Sequence, residues 1–159
     1  MLTVADISEA DAARFWSKVD KTNGCWIWRA AKNQQGYGRA RVAGKYHTSH
    51  RVAWTLVMGE IEAGQVVDHI CFNTSYVNPK HLRVASQKQN SEHLRGATVR
   101  SKTGIRGVIP SSQKVGKPYR VVVRHHGRKY YGGTFDDLHV AEQAAVRLRS
   151  ELFTHADGR

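Results

Sequence analysis

Cysteine is almost missing from this sequence: Cys25 and Cys71 are the only two in 159 residues, and neither belongs to a C-x-x-C pair. A disulfide framework and a four-cysteine zinc site are thereby excluded. No apolar run approaches the roughly 20 residues of a membrane span, and no basic amphipathic helix stands out. No membrane role is expected. The N-terminus, MLTVADISEADAARF, carries acids where an export signal needs a positive and then an apolar region, so an intracellular protein is expected. Acids are scarce elsewhere. Thirteen Asp and Glu stand against 25 Lys and Arg, giving a formal charge of +12 and a pI near 10.1. A small neutral substrate does not require such a balance, whereas a polyanion exploits it through counterion release. Nucleic acid is the expected partner. Between Glu92 and Asp136 there is no acid at all, which favours a continuous phosphate-tracking surface.

What is present comes in blocks. Ser8 followed by Asp11 has a capping pattern, and Ala12, Phe15, Trp16 and Val19 recur at helical spacing, which predicts a first helix of about three turns. After an Asn23-Gly24 turn, Cys25 to Trp28 forms a short β-run whose Trp26 and Trp28 share a face, as core packing or as a base-stacking platform. Residues 36–42 alternate and pair with Tyr46-His47-Thr48 across an Ala43-Gly44-Lys45 turn, projecting Arg39 and Arg41 from one face toward solvent or phosphate. Ser49 can cap a helix with Val52, Ala53, Leu56 and Val57 as its apolar stripe and Gly59 as its end.

The stretch richest in chemistry runs from Val67 to Asn90, VDHICFNTSYVNPKHLRVASQKQN. Asp68 offers a hard carboxylate oxygen to a divalent cation. In an extended strand its neighbour His69 points to the opposite face, which leaves the imidazole for substrate. Asn78-Pro79 reads as turn chemistry, Cys71 as a small core residue, and His81 precedes apolar Leu82 and Val84. Asn90 falls on a short polar helix beginning near Ser86. Together these residues resemble the HNH, or ββα-metal, nucleases, and among them the phage and intron homing endonucleases. The resemblance implies His69 as general base and Asp68 and Asn90 as ligands of Mg²⁺ or Mn²⁺, with His81 as a brace of the loop or a third ligand. It also makes structural zinc unexpected, since Tyr76 stands where many such nucleases carry a further cysteine.

From Ser91 to Thr103 apolar periodicity is lost while Arg95, Arg100 and Lys102 accumulate, as in a basic linker. Three β-runs then follow, 104–108, 117–124 and 129–135, and after them a helix with Leu138, Ala141, Ala145, Leu148 and Leu152 on one face and Asp136 and Asp137 at its start. Arg106-Gly107-Val108, Gly133-Thr134-Phe135 and the Glu142-to-Ala145 helix resemble the APETALA-type (ERF) DNA-binding domain. In that family the sheet lies in the major groove, which implies contacts from Arg106, Arg124, Lys129 and Tyr131. Arg120 shares the face of Arg124 by strand alternation.

The expectation is therefore an α+β protein. Residues 1–95 form a nuclease domain with a ββα-metal HNH core, flanking helices and a hairpin. Residues 96–103 are a basic linker, and residues 104–155 a three-stranded antiparallel sheet packed on one helix. The implied function is metal-dependent, homing-type cleavage of double-stranded DNA by a monomer or homodimer with no small-molecule cofactor, encoded by a phage or mobile element and acting in bacterial cytoplasm. The alternative is an inactive, sequence-specific DNA-binding regulator.

Overall fold

Ser8 supplies the hydroxyl that a helix N-terminus needs, and it accepts the Asp11 N–H at 3.1 Å to start α1 (Glu9–Trp16). The structure, a computed structural model, describes residues 2–22, 24–93, 96–98, 100–112 and 116–153. Asn23 of the expected turn and Arg95 of the expected linker lie outside the described residues. α1 is shorter than its periodicity predicts. It closes when the Ser17 N–H bonds Ala13 and the Lys18 N–H bonds Phe15. Val19 then opens β1 (Val19–Lys21), which pairs with β2 (Trp26–Trp28) in the register Val19↔Trp28. The apolar Val19 is satisfied by a strand partner that helical spacing does not reveal.

β2 carries Trp28 into the core at 1% exposure, stacked on Phe15 with ring centroids 5.2 Å apart. That ring is packing, not a base platform. Trp26 is half-buried, edge-on to Trp16, with the Lys21 ammonium 4.5 Å from its ring.

β3 (Arg39–Val42) and β4 (Lys45–Thr48) form a hairpin around Ala43 and Gly44, whose φ angles of 48° and 74° are those of a two-residue primed turn. Lys45 is consequently the first strand residue and not part of the turn. Ala40 and Val42 point into the core while Arg39 and Arg41 are exposed. Gly38, just before β3, sits where no side chain fits: a β-carbon there would lie 2.2 Å from Ser49 Oγ and 2.5 Å from Trp28 Cδ1. Gly38→Ala is therefore expected to cost about 1–3 kcal/mol through overpacking. A urea midpoint equal to that of the unmodified chain would contradict this packing.

α2 (Ser49–Met58) is N-capped by Thr48 without a side-chain hydrogen bond, and Ser49, expected as the cap, is its first, buried residue. Val52 and Ala53 face the core and Leu56 packs at its edge, but Val57 is 49% exposed and not part of the stripe. β5 (Gln65–His69) and β6 (Leu82–Ser86) pair antiparallel, joined through a 3-10 turn at Pro79–His81, with Asp68 opposite Arg83 and His69 opposite Leu82. Val67 and Leu82 bury against Ile61 and Trp54.

α3 (Gln87–Glu92) follows directly, and the chain divides within it into two compact units, Met1–Gln87 and Lys88–Arg159. In the second unit β7 (Val108–Pro110), β8 (Tyr119–His125) and β9 (Arg128–Phe135) form one antiparallel sheet in that order. The expected first run at 104–108 is mostly turn. Gly107 has φ +86° and sits against Arg149, Ala145 and Val123, so the strand begins only at Val108. α4 (Leu138–Leu152) is capped by Asp137, whose Oδ1 accepts the Val140 N–H at 2.8 Å. Ala141 and Ala145 lock α4 onto Val108 and Val121. Among the described residues the result is four α-helices and small antiparallel sheets, an α+β architecture.

Candidate active site

β2 fixes more than the core. Its Trp28 N–H bonds Ser75 at 2.9 Å, and Trp26 accepts the Val77 N–H at 2.8 Å, which holds the segment between the strands of the β5–β6 hairpin. The carbonyl of Tyr76 is thereby presented to His69 Nε2, 3.0 Å away. A carbonyl only accepts, so Nε2 carries the proton and the neutral ring keeps its lone pair on Nδ1. Burial holds the His69 pKa below its ordinary value, offset in part by the Tyr76 carbonyl and by the charge of Asp68. At neutral pH the imidazole is a neutral base.

Two further rings enclose it. His50 of α2 packs 4.6 Å from His69, centroid to centroid, and Tyr37 lies 5.8 Å from His69 and 5.3 Å from His50. His50 is 5% exposed and its Nδ1 has no hydrogen-bond partner. Burial, with His69 and Arg51 close by, pushes its pKa down to about 3. The sequence alone leaves the role of His50 open and does not single out Tyr37. The available signal is position: His50 lies three residues before Ala53, on the apolar stripe of α2.

On strand β5 Asp68 is half-buried, and its Oδ2 accepts from Arg83 Nε at 3.1 Å, the pair being cross-strand neighbours. The 3-10 turn is anchored at both ends. Asn78 Oδ1 accepts the Lys80 N–H at 3.0 Å, and its amide donates to the Gly24 carbonyl at 2.7 Å. His81 Nε2 donates to the same carbonyl at 2.9 Å, with its ring edge-on to Tyr76. Cys71, expected in the core, is exposed, because the chain turns at Phe72 (φ 60°) and carries it outward. Asn90 is half-buried on α3, in the second unit. Among the described residues no group of three or more His, Cys, Asp and Glu could hold a metal. Asp68 brings a carboxylate oxygen, the donor type that a hard cation takes.

The basic candidates divide. Arg120, Arg124, Lys129 and Tyr131 line one hollow of about 330 Å³ together with Ile109 and Val122. Strand alternation puts that hollow on the face opposite Val121 and Val123, which are buried. Arg106 is drawn elsewhere, donating to the carbonyls of Glu92 at 2.7 Å and Ser91 at 3.1 Å at the C-terminal end of α3. Arg100 and Lys102 are exposed ahead of the sheet, and Arg39 and Arg41 are exposed on β3.

Residues 47–92 match the family model of the HNH endonucleases, a span that runs from β4 through α3 and contains Asp68, His69, His81 and Asn90. Two curated relatives come from Escherichia phage T7. Protein 7.7 is 41% identical over 70 residues, covering 44% of this chain and 54% of its own. Protein 2.8 is 38% identical over 75 residues, covering 46% of this chain and 50% of its own. The chain thus spans about half the length of the curated relatives it matches. No solved structure matches it. Among the described residues no helix is long and apolar enough to cross a membrane.

Proposed function

We propose that this protein is a metal-dependent HNH endonuclease of homing type that hydrolyses DNA phosphodiesters, with a ββα-metal core formed by β5, β6 and α3. The observation that carries this reading is the His69 ring, held neutral by burial with Nε2–H given to the Tyr76 carbonyl, inside the stretch that matches the HNH endonucleases. Nδ1 of His69 takes the proton of an attacking water, and the Tyr76 contact fixes the ring for that transfer. Tyr37 and His50 wall the ring and keep bulk water from it. Asp68 and Asn90 would hold Mg²⁺ or Mn²⁺. Such a cation supplies charge neutralisation at the phosphate and the departing 3′ oxygen. Asn78 and His81 brace the loop through the Gly24 carbonyl.

One nuclease core cuts one strand, so the monomer nicks and a double-strand break needs a homodimer or a second visit. Incubating supercoiled plasmid with the protein and Mg²⁺ or Mn²⁺ tests the reading. Nicking is the expected result, and plasmid left intact with both metals overturns it. The phage relatives favour a phage-encoded enzyme acting in the bacterial cytoplasm.

The second unit we assign to DNA recognition as an APETALA-type domain, with Arg120, Arg124, Lys129 and Tyr131 on the groove-reading face and Arg100 and Lys102 on phosphate. Arg106 serves this role indirectly, by tying the end of α3 to the loop before β7. Arg124→Ala is expected to weaken discrimination by roughly 1–3 kcal/mol at the base this side chain reads, while non-specific nicking persists. Parallel cleavage assays in which both fall equally would contradict the division of labour. A second reading, an inactive DNA-binding regulator, draws on the Asp68–Arg83 pair, which already meets the one carboxylate with a cation.

A further inference from the structure

The first unit holds a basic hollow of about 590 Å³ that the chemistry of His69 does not use. Its charged lining is Arg14 on α1, Lys18 just beyond it, and Arg39 and Arg41 on β3, with no acid among the lining residues. The nearby Asp11 is already engaged: it pairs with Arg14 and accepts the Ala43 N–H at 2.9 Å.

These cations are oriented. The Arg39 guanidinium stacks over the Tyr46 ring at 4.3 Å, and Tyr46 is 64% exposed. Arg41 Nε donates to the Gly44 carbonyl at 3.4 Å, and Arg14 donates to the Arg41 carbonyl at 3.2 Å. A guanidinium stacked on a ring keeps its in-plane N–H fork for oxygen acceptors. Lys18, Arg39 and Arg41, with the Asp11-paired Arg14 beside them, gather like charge around a concavity and repel one another. A solvated surface gains nothing from that arrangement, whereas a polyanion relieves it and is drawn to it.

We infer that this hollow is a clamp on the phosphodiester backbone of duplex DNA, formed by Arg14, Lys18, Arg39 and Arg41 and separate from the sheet face of the second unit. The inference rests on the nucleic-acid reading above and gives the nuclease unit its own grip on substrate. Such a grip is indifferent to sequence, because phosphate contacts position and base contacts specify. It holds the duplex against the cutting unit wherever the second unit has bound.

The test is a binding measurement on the full chain in EDTA, so turnover does not enter and failure of the nuclease reading would be seen separately. Fluorescence anisotropy of a labelled duplex is recorded across a salt series for the unmodified chain, for Arg39→Gln/Arg41→Gln, for Lys18→Gln, and for a control pair outside the hollow, Arg29→Gln/Arg147→Gln, both exposed and the first already paired with Asp20. Each phosphate contact contributes about 0.9 to the slope of log K against log salt. The Arg39/Arg41 pair is therefore expected to lower the slope by about 1.8 and Lys18→Gln by about 0.9, with the control pair close to the unmodified chain. Circular dichroism on each variant checks the fold, which these exposed side chains do not support. A slope unchanged by the Arg39/Arg41 pair, or lowered equally by the control pair, overturns the clamp in favour of a general charge effect.

Discussion

Alanine at position 69 is expected to abolish metal-dependent nicking of supercoiled plasmid, with a fall of about 10²–10⁴ in rate, the span typical of a positioned general base. The size follows from the local geometry. His69 spends its Nε2–H on a backbone carbonyl that no side-chain change elsewhere replaces, and only Nδ1 is left to take a proton. Neither alanine nor a neighbouring ring can substitute. His50 Nδ1 lies in the same cluster but is enclosed and its pKa is near 3, which makes it a poor proton acceptor at neutral pH. Affinity for DNA should change little, because His69 is 4% exposed and neutral. Rate is thus expected to collapse while the anisotropy-derived Kd stays within a factor of about 3, well under the 1.4 kcal/mol that a tenfold change represents. Nicking that survives the substitution would remove His69 from the chemistry and shift the reading toward a contaminating nuclease or another base.

Much of this unit is legible in the sequence because its signals are local. Alternation fixes β3 and places Arg39 and Arg41 outward, and the Val66-Val67 run ending in Asp68-His69 locates β5 and the side of each residue. Ser8 and Asp137 announce their helices by the hydrogen bonds their side chains make. Some misses are local, Lys45 being set by the primed turn before it and Cys71 by the turn at Phe72, but the others depend on partners distant in sequence. Val19 keeps helical spacing with Phe15 and Trp16, yet a ladder to Trp28 claims it. Gly104 to Gly107 has the pattern of a strand, but packing of Gly107 against α4 requires a turn. The APETALA-type resemblance implies Arg106 as a groove contact, and its bonds to the carbonyls of Ser91 and Glu92 leave no trace in that motif. Asn78 carries the signature of turn chemistry and makes that turn, while its bond to the distant Gly24 carbonyl leaves no trace in the motif.

The same limit hides His50, and it has the second large consequence. A histidine buried neutral, with pKa about 3 against an ordinary 6.5, binds a proton in the unfolded chain long before it does so in the folded one. Above pH 6.5 both states are neutral there and pH has no effect through this group. Between 6.5 and about 3 the unfolded state alone is protonated, so stability falls as the solution is acidified, by about 1.4 kcal/mol per pH unit. Below about 3 the loss levels off. At about pH 5 this side chain alone should have removed about 2 kcal/mol relative to neutral pH. His50→Gln cannot titrate, so the difference in urea stability between the unmodified chain and the variant isolates this group, since the other titrating residues contribute to both. The variant is expected to gain on the unmodified chain steadily from about pH 7 to about pH 5. Two curves that stay parallel over that interval would mean that His50 opens to water, and the wall it forms beside the His69 ring would have to be given up with it.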